Sequence, residues 1–189
     1  PVAWCPFCAG NESHTPAEIL RSPADPALPW RTRIVPNAFP IVEDHGNGYA
    51  APAPPCERAA HGVHDVVVES AAHERSILAL EPADWRAVWA ACRQRLADLA
   101  CRDDLAWATV FKNSGPRAGA SLEHLHSQLV ALDFVPPFLL AELAAARDVA
   151  HPFGELIAEA RAAGRIVATA ADLVAMVPPA PRQPFEVWL

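Results

Sequence analysis

The stretch WATVFKNSGPRAGASLEHLHSQLVAL, residues 107–132, decides how this chain is read. Trp107 to Phe111 is a β-branched and aromatic run and reads as a strand. Gly115, Pro116 and Gly119 then break the run, as turn residues do. A second apolar run, His124 to Leu132, reads as a second strand. Alternate side chains of a strand share a face, so His124, His126 and Gln128 are expected to project together. Two imidazoles and a carboxamide above a glycine-containing loop suit the binding and attack of a phosphate. Glycines allow close backbone approach, backbone N–H groups with Asn113 or Ser121 can donate to oxygens, and a neutral imidazole can attack phosphorus. The His-x-His pair alone fits a half-buried sheet face or a metal pair equally well, and it does not choose among these.

Outward from that stretch, composition sets the bounds. A chain of 189 residues can bury one sizeable core. Its 20 prolines concentrate in residues 16–55 and 178–184, which predicts extended loops there rather than long helices. A net charge of −7 argues against a general nucleic-acid binder, which needs a basic face, yet leaves a nucleotide substrate open. No run of eighteen apolar residues predicts a membrane helix, and the start carries no signal-peptide pattern. The chain opens on Pro1 and closes on an apolar, strand-like run, so both ends read as cuts within a longer protein. Cys5 and Cys8 form a C-x-x-C unit while Cys56, Cys92 and Cys101 are scattered; an odd, dispersed set fits a reducing cytoplasm and a metal site better than a secreted disulfide framework.

At the N-terminus, C-P-F-C followed by Ala9-Gly10 has the shape of a zinc knuckle. A redox pair is the competing reading, but that needs a following helix, against which Pro16 and the polar run argue. Two thiolates fill half of a tetrahedral zinc site, so two further ligands, of histidine type, are required from elsewhere. Residues 30–42 form a short strand stopped by Pro36, with Arg31 and Arg33 on one face; solvated arginines on an edge strand are one reading of them. Residues 43–60 are polar, Gly- and Pro-rich, and read as a loop. Residues 62–70, with their valine run, read as a central strand in which His64 is structural. Residues 82–101 are the clearest helix, with Pro82 in its first turn. Trp85, Val88, Trp89, Cys92, Leu96 and Leu99 make one apolar stripe for packing on a sheet, and Cys92 is an inert buried thiol. Residues 138–148 and 152–163 read as helices, stopped by Gly164, and 172–177 with 185–189 as two strands joined by a proline-rich turn. The fold class expected is α+β, a mostly antiparallel sheet with packed helices.

Taken together, N-x-G-x-x-x-G-x-S-x-x-H-x-H-x-Q (residues 113–128) resembles the active-site stretch of the galactose-1-phosphate uridylyltransferase family, in the histidine-triad superfamily. Leu125 stands where family members usually carry the proline of H-P-H, and leucine fits a strand. C-P-F-C-x-G-N-E-x-x-T-P-x-E, V-P-N-x-F-P and E-S-x-x-H extend the resemblance across the first half, and V-A-M-V-P-x-A-P-R-x-P-F-E-V-W resembles the opening of the family's second half. The resemblance implies a histidine-triad-like half over residues 1–150 and the beginning of a second, incomplete half over 151–189. It implies transfer of a nucleotide between a nucleoside diphosphate sugar and a sugar phosphate through a covalent nucleotidyl-histidine, with UMP moving between a UDP-hexose and a hexose 1-phosphate. His126 is then the nucleophile, and Gln128 donates to a non-bridging phosphoryl oxygen. Asn37, Asn113, Gly119, Ser121 and, as a phosphate contact, Arg33 line the substrate. Cys5, Cys8, His73 and His124 complete a structural Zn²⁺ site. A homodimer and a place in galactose metabolism are implied in the same way. The family's second, iron-type site has a Glu ligand just before the motif's Asn; Lys112 stands there, so that site is not expected. No residue separates uracil from adenine, so an adenylyltransferase or phosphorylase of the same superfamily, using an ADP-sugar or a dinucleotide, stays open. So does a non-enzymatic, zinc-stabilised nucleotide-binding module.

Overall fold

The computed structural model describes residues 4–44 and 60–189. The loop expected at 43–60 falls, from 45 to 59, outside the described residues, as does Cys56. The chain divides into two compact units, Pro1–Val135 and Pro136–Leu189.

The first unit is built on a five-stranded sheet in the order β1-β2-β3-β5-β4, every neighbouring pair antiparallel. The strands are β1 (Leu20–Ser22), β2 (Thr32–Pro36), β3 (Gly62–Val68), β4 (Trp107–Phe111) and β5 (His126–Leu132). The valine run makes β3 central, as its continuous hydrophobicity predicts, and all seven of its residues are buried. One reading of the sequence places β2 at an edge with solvated arginines. The structure puts it inside, between β1 and β3, because Leu20–Ser22 adds an edge strand too short to show a period.

Helix α1 (Pro82–Ala100) packs on one face of this sheet. Val88, Ala91, Cys92 and Leu99 meet Ile34, Val63, Val67, Leu129 and Ala131 in one apolar cluster. Each fully buried aliphatic side chain there contributes about 1.5–3 kcal/mol relative to exposure. Burial pushes the Cys92 thiol up to about 11, which makes it the inert thiol the stripe implies. Trp89 is a correction to the stripe: it is 60% exposed and stacks on Trp85 at 6.4 Å along the outside of the helix. Ala87 and Ala91 take the sheet-facing surface instead, since small residues let the helix approach.

The opposite sheet face carries the second cluster, Cys5, Phe7, Cys8, Trp30, Val35, Val66 and Val68. The N-terminal knuckle is the cover of that face. Its docking is fixed by Ala9 N–H to Ala71 O (3.0 Å), and its own turn is closed by the Asn11 amide donating to Cys5 O (2.7 Å).

The second unit holds α2 (Pro137–Arg147), α3 (Pro152–Ala162) and a hairpin of β6 (Ile166–Ala170) with β7 (Leu173–Met176). The expected pairing of 172–177 with 185–189 is replaced by this hairpin. Gly164, at φ +67°, turns the chain out of α3 so that the β-branched run at Ile166 reaches β7 first, leaving Trp188 a single bridge to Met176. Among the described residues, no helix is long and apolar enough to cross a membrane.

Candidate functional site

The site lies on the knuckle-covered face, where β5 begins. The sequence starts this strand at His124; the structure starts it at His126, and His124 sits in the bend before it. The reason is local. Leu125 N–H donates to Glu74 O (2.8 Å) and Leu125 O accepts from Glu69 N–H (3.2 Å), so the backbone turns onto the segment after β3 before pairing regularly. From His126 the register is regular, with Val68 opposite His126 and Val66 opposite Gln128. His126 and Gln128 therefore share the face, as the two-residue period predicts.

The two histidines are differentiated by what their second ring nitrogen does. His124 is 1% exposed, and its Nε2 lies 2.8 Å from Ser70 O, a donor's position, which leaves the Nδ1 lone pair pointing at the cysteines. Its Nδ1 stands 3.5 Å from Cys5 Sγ and 3.7 Å from Cys8 Sγ, and His73 Nδ1 stands 3.4 Å from Cys8 Sγ. The four ligand atoms lie within 4.8 Å of one another. Tetrahedral zinc with Zn–S of about 2.3 Å and Zn–N of about 2.1 Å requires sulfur–nitrogen separations of about 3.6 Å. The observed spacings bracket that value, so Cys5, Cys8, His73 and His124 fit a zinc ion. The electrostatics agree. Burial pushes the Cys5 thiol up, with the neighbouring Cys8 adding to it, and burial depresses His124 to about 4. A dication removes the cost of burying thiolates, and a neutral imidazole is the form that ligates.

His126 has the reverse arrangement. Its Nδ1 lies 2.7 Å from His124 O, so Nδ1–H donates to that carbonyl and Nε2 keeps its lone pair. The ring packs against Phe7 at 5.4 Å between centroids. It lines two cavities, of about 310 and 420 Å³. The smaller is lined by Arg75, Lys112, Asn113, Ser121 and His126, among others. The larger is lined by Phe7, Asn37, Phe39, Gly119, Ser121, His126 and Gln128, among others. Its aromatic and apolar walls, with few polar groups, suit a small organic ligand. Between the strands, Gly115 and Gly119 take φ of +80° and +85°, conformations that favour glycine, and fold the 113–121 loop over His126.

The structure thus brings Asn37, Asn113, Gly119, Ser121, His126 and Gln128 around two adjoining cavities. It does not bring Arg33 there. Arg33 is 2% exposed, lies over the Trp30 ring at 4.9 Å, and reaches Glu18 at 3.5 Å. Two groups escaped the sequence reading. Buried Glu69 accepts from Lys112 Nζ (2.6 Å) and Ser127 Oγ (2.5 Å), while Lys112 Nζ also donates to His126 O (2.8 Å). His64, on β3, contacts Gln128 Oε1 through Nε2 at 2.8 Å. The odd imidazole in a valine run was the available signal for the second; nothing local announces the first, whose partners are 43 residues apart.

Residues 37–136 match the family described as galactose-1-phosphate uridyl transferase, N-terminal domain. The chain is 31% identical over 189 residues to the ADP-glucose phosphorylase of Arabidopsis thaliana, which spans 98% of this chain and 54% of that protein. It is 28% identical over 133 residues to the galactose-1-phosphate uridylyltransferase of Thermotoga maritima, spanning 68% of this chain and 42% of that protein. The chain therefore spans about half the length of the curated relatives it matches. Among solved structures, that of an Arabidopsis thaliana ADP-glucose phosphorylase with bound ADP-glucose superposes with a TM-score of 0.79 at 28% identity, covering 100% of this chain and 60% of that one. With the matching α+β sheet and the motif of residues 113–128 in place, the chain belongs to the galactose-1-phosphate uridyl transferase N-terminal domain family of the histidine-triad superfamily.

Proposed function

We propose that this chain carries the nucleotidyl-transfer site of an ADP-sugar phosphorylase or adenylyltransferase. The observation that carries the reading is His126. It is the imidazole whose Nδ1–H is held by His124 O and whose Nε2 is left with a lone pair beside two cavities. In the proposed reaction His126 Nε2 attacks the α-phosphorus of an ADP-sugar, and the bond to the bridging oxygen breaks. The sugar 1-phosphate leaves with the electron pair. Inorganic phosphate, or a second sugar phosphate, then attacks the adenylyl-histidine, and Nε2 recovers its lone pair. Splitting one transfer in two is the purpose of such a nucleophile. The Nδ1–H bond to His124 O stabilises the positive ring formed in the first step. Gln128 donates its amide to a non-bridging oxygen, where charge concentrates. Asn113, Gly119 and Ser121 bound the phosphates, and Asn37 the ribose side. Arg33, buried against Trp30, is left as a prop of the knuckle.

The adenosine reading is preferred to the UDP-hexose one because the resemblance to an ADP-glucose phosphorylase runs along the chain, whereas that to a uridylyltransferase is lower and shorter. Zinc held by Cys5, Cys8, His73 and His124 is structural in this reading, since four protein ligands close the site. Residues 151–189 are read as the opening of the family's second half.

The test is to incubate the protein with ADP-glucose and UDP-glucose, each radiolabelled at the α-phosphate, and to follow acid-labile, base-stable label on the denatured chain. Label from ADP-glucose, absent in His126→Gly, is expected. Label that survives in His126→Gly, or no label from either donor, overturns the reading.

A further inference from the structure

His64 is 5% exposed and sits on β3 in the same alternating row as Val66 and Val68, which face β5 at Gln128 and His126. It is the diagonal neighbour of Gln128 across the strand pair. The ring is held at both edges. Ile41 N–H donates to Nδ1 at 3.0 Å, so Nδ1 carries no proton and Nε2 does. Nε2–H then donates to Gln128 Oε1 at 2.8 Å. The Asn37 amide nitrogen lies 3.1 Å from Nε2 and 3.4 Å from Nδ1; its Oδ1 accepts from Phe39 N–H (2.9 Å), so its NH₂ is the group beside the ring and shares the Nδ1 lone pair with Ile41 N–H. Asn37 N–H also ties this end of β2 to His64 O at 2.8 Å. A flipped Gln128 carboxamide would set its NH₂ against the Nε2–H, two donors facing each other in a partly buried place. It would also turn a carbonyl oxygen towards the cavity, where a phosphoryl oxygen would be repelled.

We propose that His64 is a positioning residue for Gln128: its Nε2–H selects the carboxamide orientation that presents the amide NH₂ to the cavity beside His126. The inference rests on the nucleotidyl-transfer reading and adds to it a residue that touches no substrate. It explains why an imidazole interrupts the valines of β3 and why its Nδ1 is blocked by a backbone N–H. That block denies the ring the other neutral tautomer, in which Nε2 would accept and Gln128 would turn.

The experiment has two arms, run on zinc-loaded protein. Ring-nitrogen NMR on the wild-type protein reads the His64 tautomer without any turnover. The Nε2–H form, coupled to Gln128, is expected, and an Nδ1–H form overturns the proposal. The kinetic arm measures covalent labelling from α-labelled ADP-glucose. Removing one positioned donor costs about 10²–10³ in rate, so loosening it by His64→Leu is expected to slow labelling about 10–100-fold, with half-saturation changed less than about threefold. His64→Gln places an amide nitrogen the same number of bonds from Cα as Nε2, and recovers most of that loss. In a Gln128→Ala background, His64→Leu adds nothing further, because it acts through Gln128. Equal losses in both backgrounds, or His64→Gln as slow as His64→Leu, overturn the proposal even where the leucine variant is poorly folded. If the wild-type protein takes no label from any donor, the nucleotidyl-transfer reading falls, and the NMR arm still judges the His64–Gln128 contact.

Discussion

Lys112→Met tests whether the floor beneath His126 is held electrostatically. Glu69 is 1% exposed, and its carboxylate has two observed partners, Lys112 Nζ at 2.6 Å and Ser127 Oγ at 2.5 Å. Methionine keeps the length of the lysine stem but removes the charge, leaving the carboxylate to Ser127 and the His126 carbonyl without its side-chain donor. Breaking a fully buried pair costs about 3–5 kcal/mol because an uncompensated charge remains. Lys112 is 20% exposed, so water can partly replace it, and the expected loss is scaled down to about 2–3 kcal/mol. Glu69→Gln alone leaves a partly solvated ammonium and a neutral acceptor, and is expected to cost about 1 kcal/mol, the worth of a hydrogen bond. The double variant carries neither charge, so it should lose no more than Lys112→Met, with a coupling energy of about 1–2 kcal/mol. The assay is urea unfolding of the four zinc-loaded proteins, read from midpoints at constant slope. A loss below about 0.5 kcal/mol for Lys112→Met, or additivity within about 0.3 kcal/mol across the cycle, refutes the reasoning.

Two other outcomes are expected. Cys8→Ser, which replaces the sulfur standing 3.4 Å from His73 and 3.7 Å from His124, should lose its zinc by elemental analysis and melt at lower temperature; unchanged stoichiometry would remove the four-ligand site. Gly62→Ala places a Cβ 2.1 Å from Ala131 O in the central strand pair, and should destabilise by about 1–3 kcal/mol in thermal melts; wild-type stability would show that the β3–β5 ladder accommodates what this backbone does not.

The sequence reads well where one period governs a segment. Trp107–Phe111 and the valines of β3 are strands because β-branched and aromatic residues run without interruption, and α1 announces itself by Pro82 and its three- and four-residue spacing. Reading fails where the deciding partner is distant. The start of β5 slips from His124 to His126 because Glu69 and Glu74, at the end of another strand, take the backbone of Leu125. Arg33 looks like a solvent-side cation beside Arg31, yet Thr15, Glu18 and Trp30, distant or off its strand, enclose it. Trp89 satisfies the helical stripe but is displaced outward by alanines that fit the sheet more closely. At the site, spacing alone brings His126 and Gln128 onto one face. It says nothing of His64 or Lys112, whose parts depend on which atom of a neighbour is already taken.

That last point governs the pair His124 and His126, whose rings are chemically identical in sequence. Ser70 O receives the Nε2–H of His124 and so turns Nδ1 towards Cys5 and Cys8; His124 O receives the Nδ1–H of His126 and so frees Nε2. The tautomers are thus set in series, each by a backbone carbonyl, and the same residue supplies a metal-facing nitrogen and the carbonyl that fixes its neighbour. A zinc ion held by Cys5, Cys8, His73 and His124 would therefore bear on the proposed nucleophile through the His124 peptide. By holding the His124 ring it would hold the His124 peptide, whose carbonyl accepts the Nδ1–H of His126. A two-residue spacing is what this device needs, because a side chain two positions on can reach back to that carbonyl. The bend that breaks β5 before His126 is, on this account, part of how the proposed nucleophile is prepared.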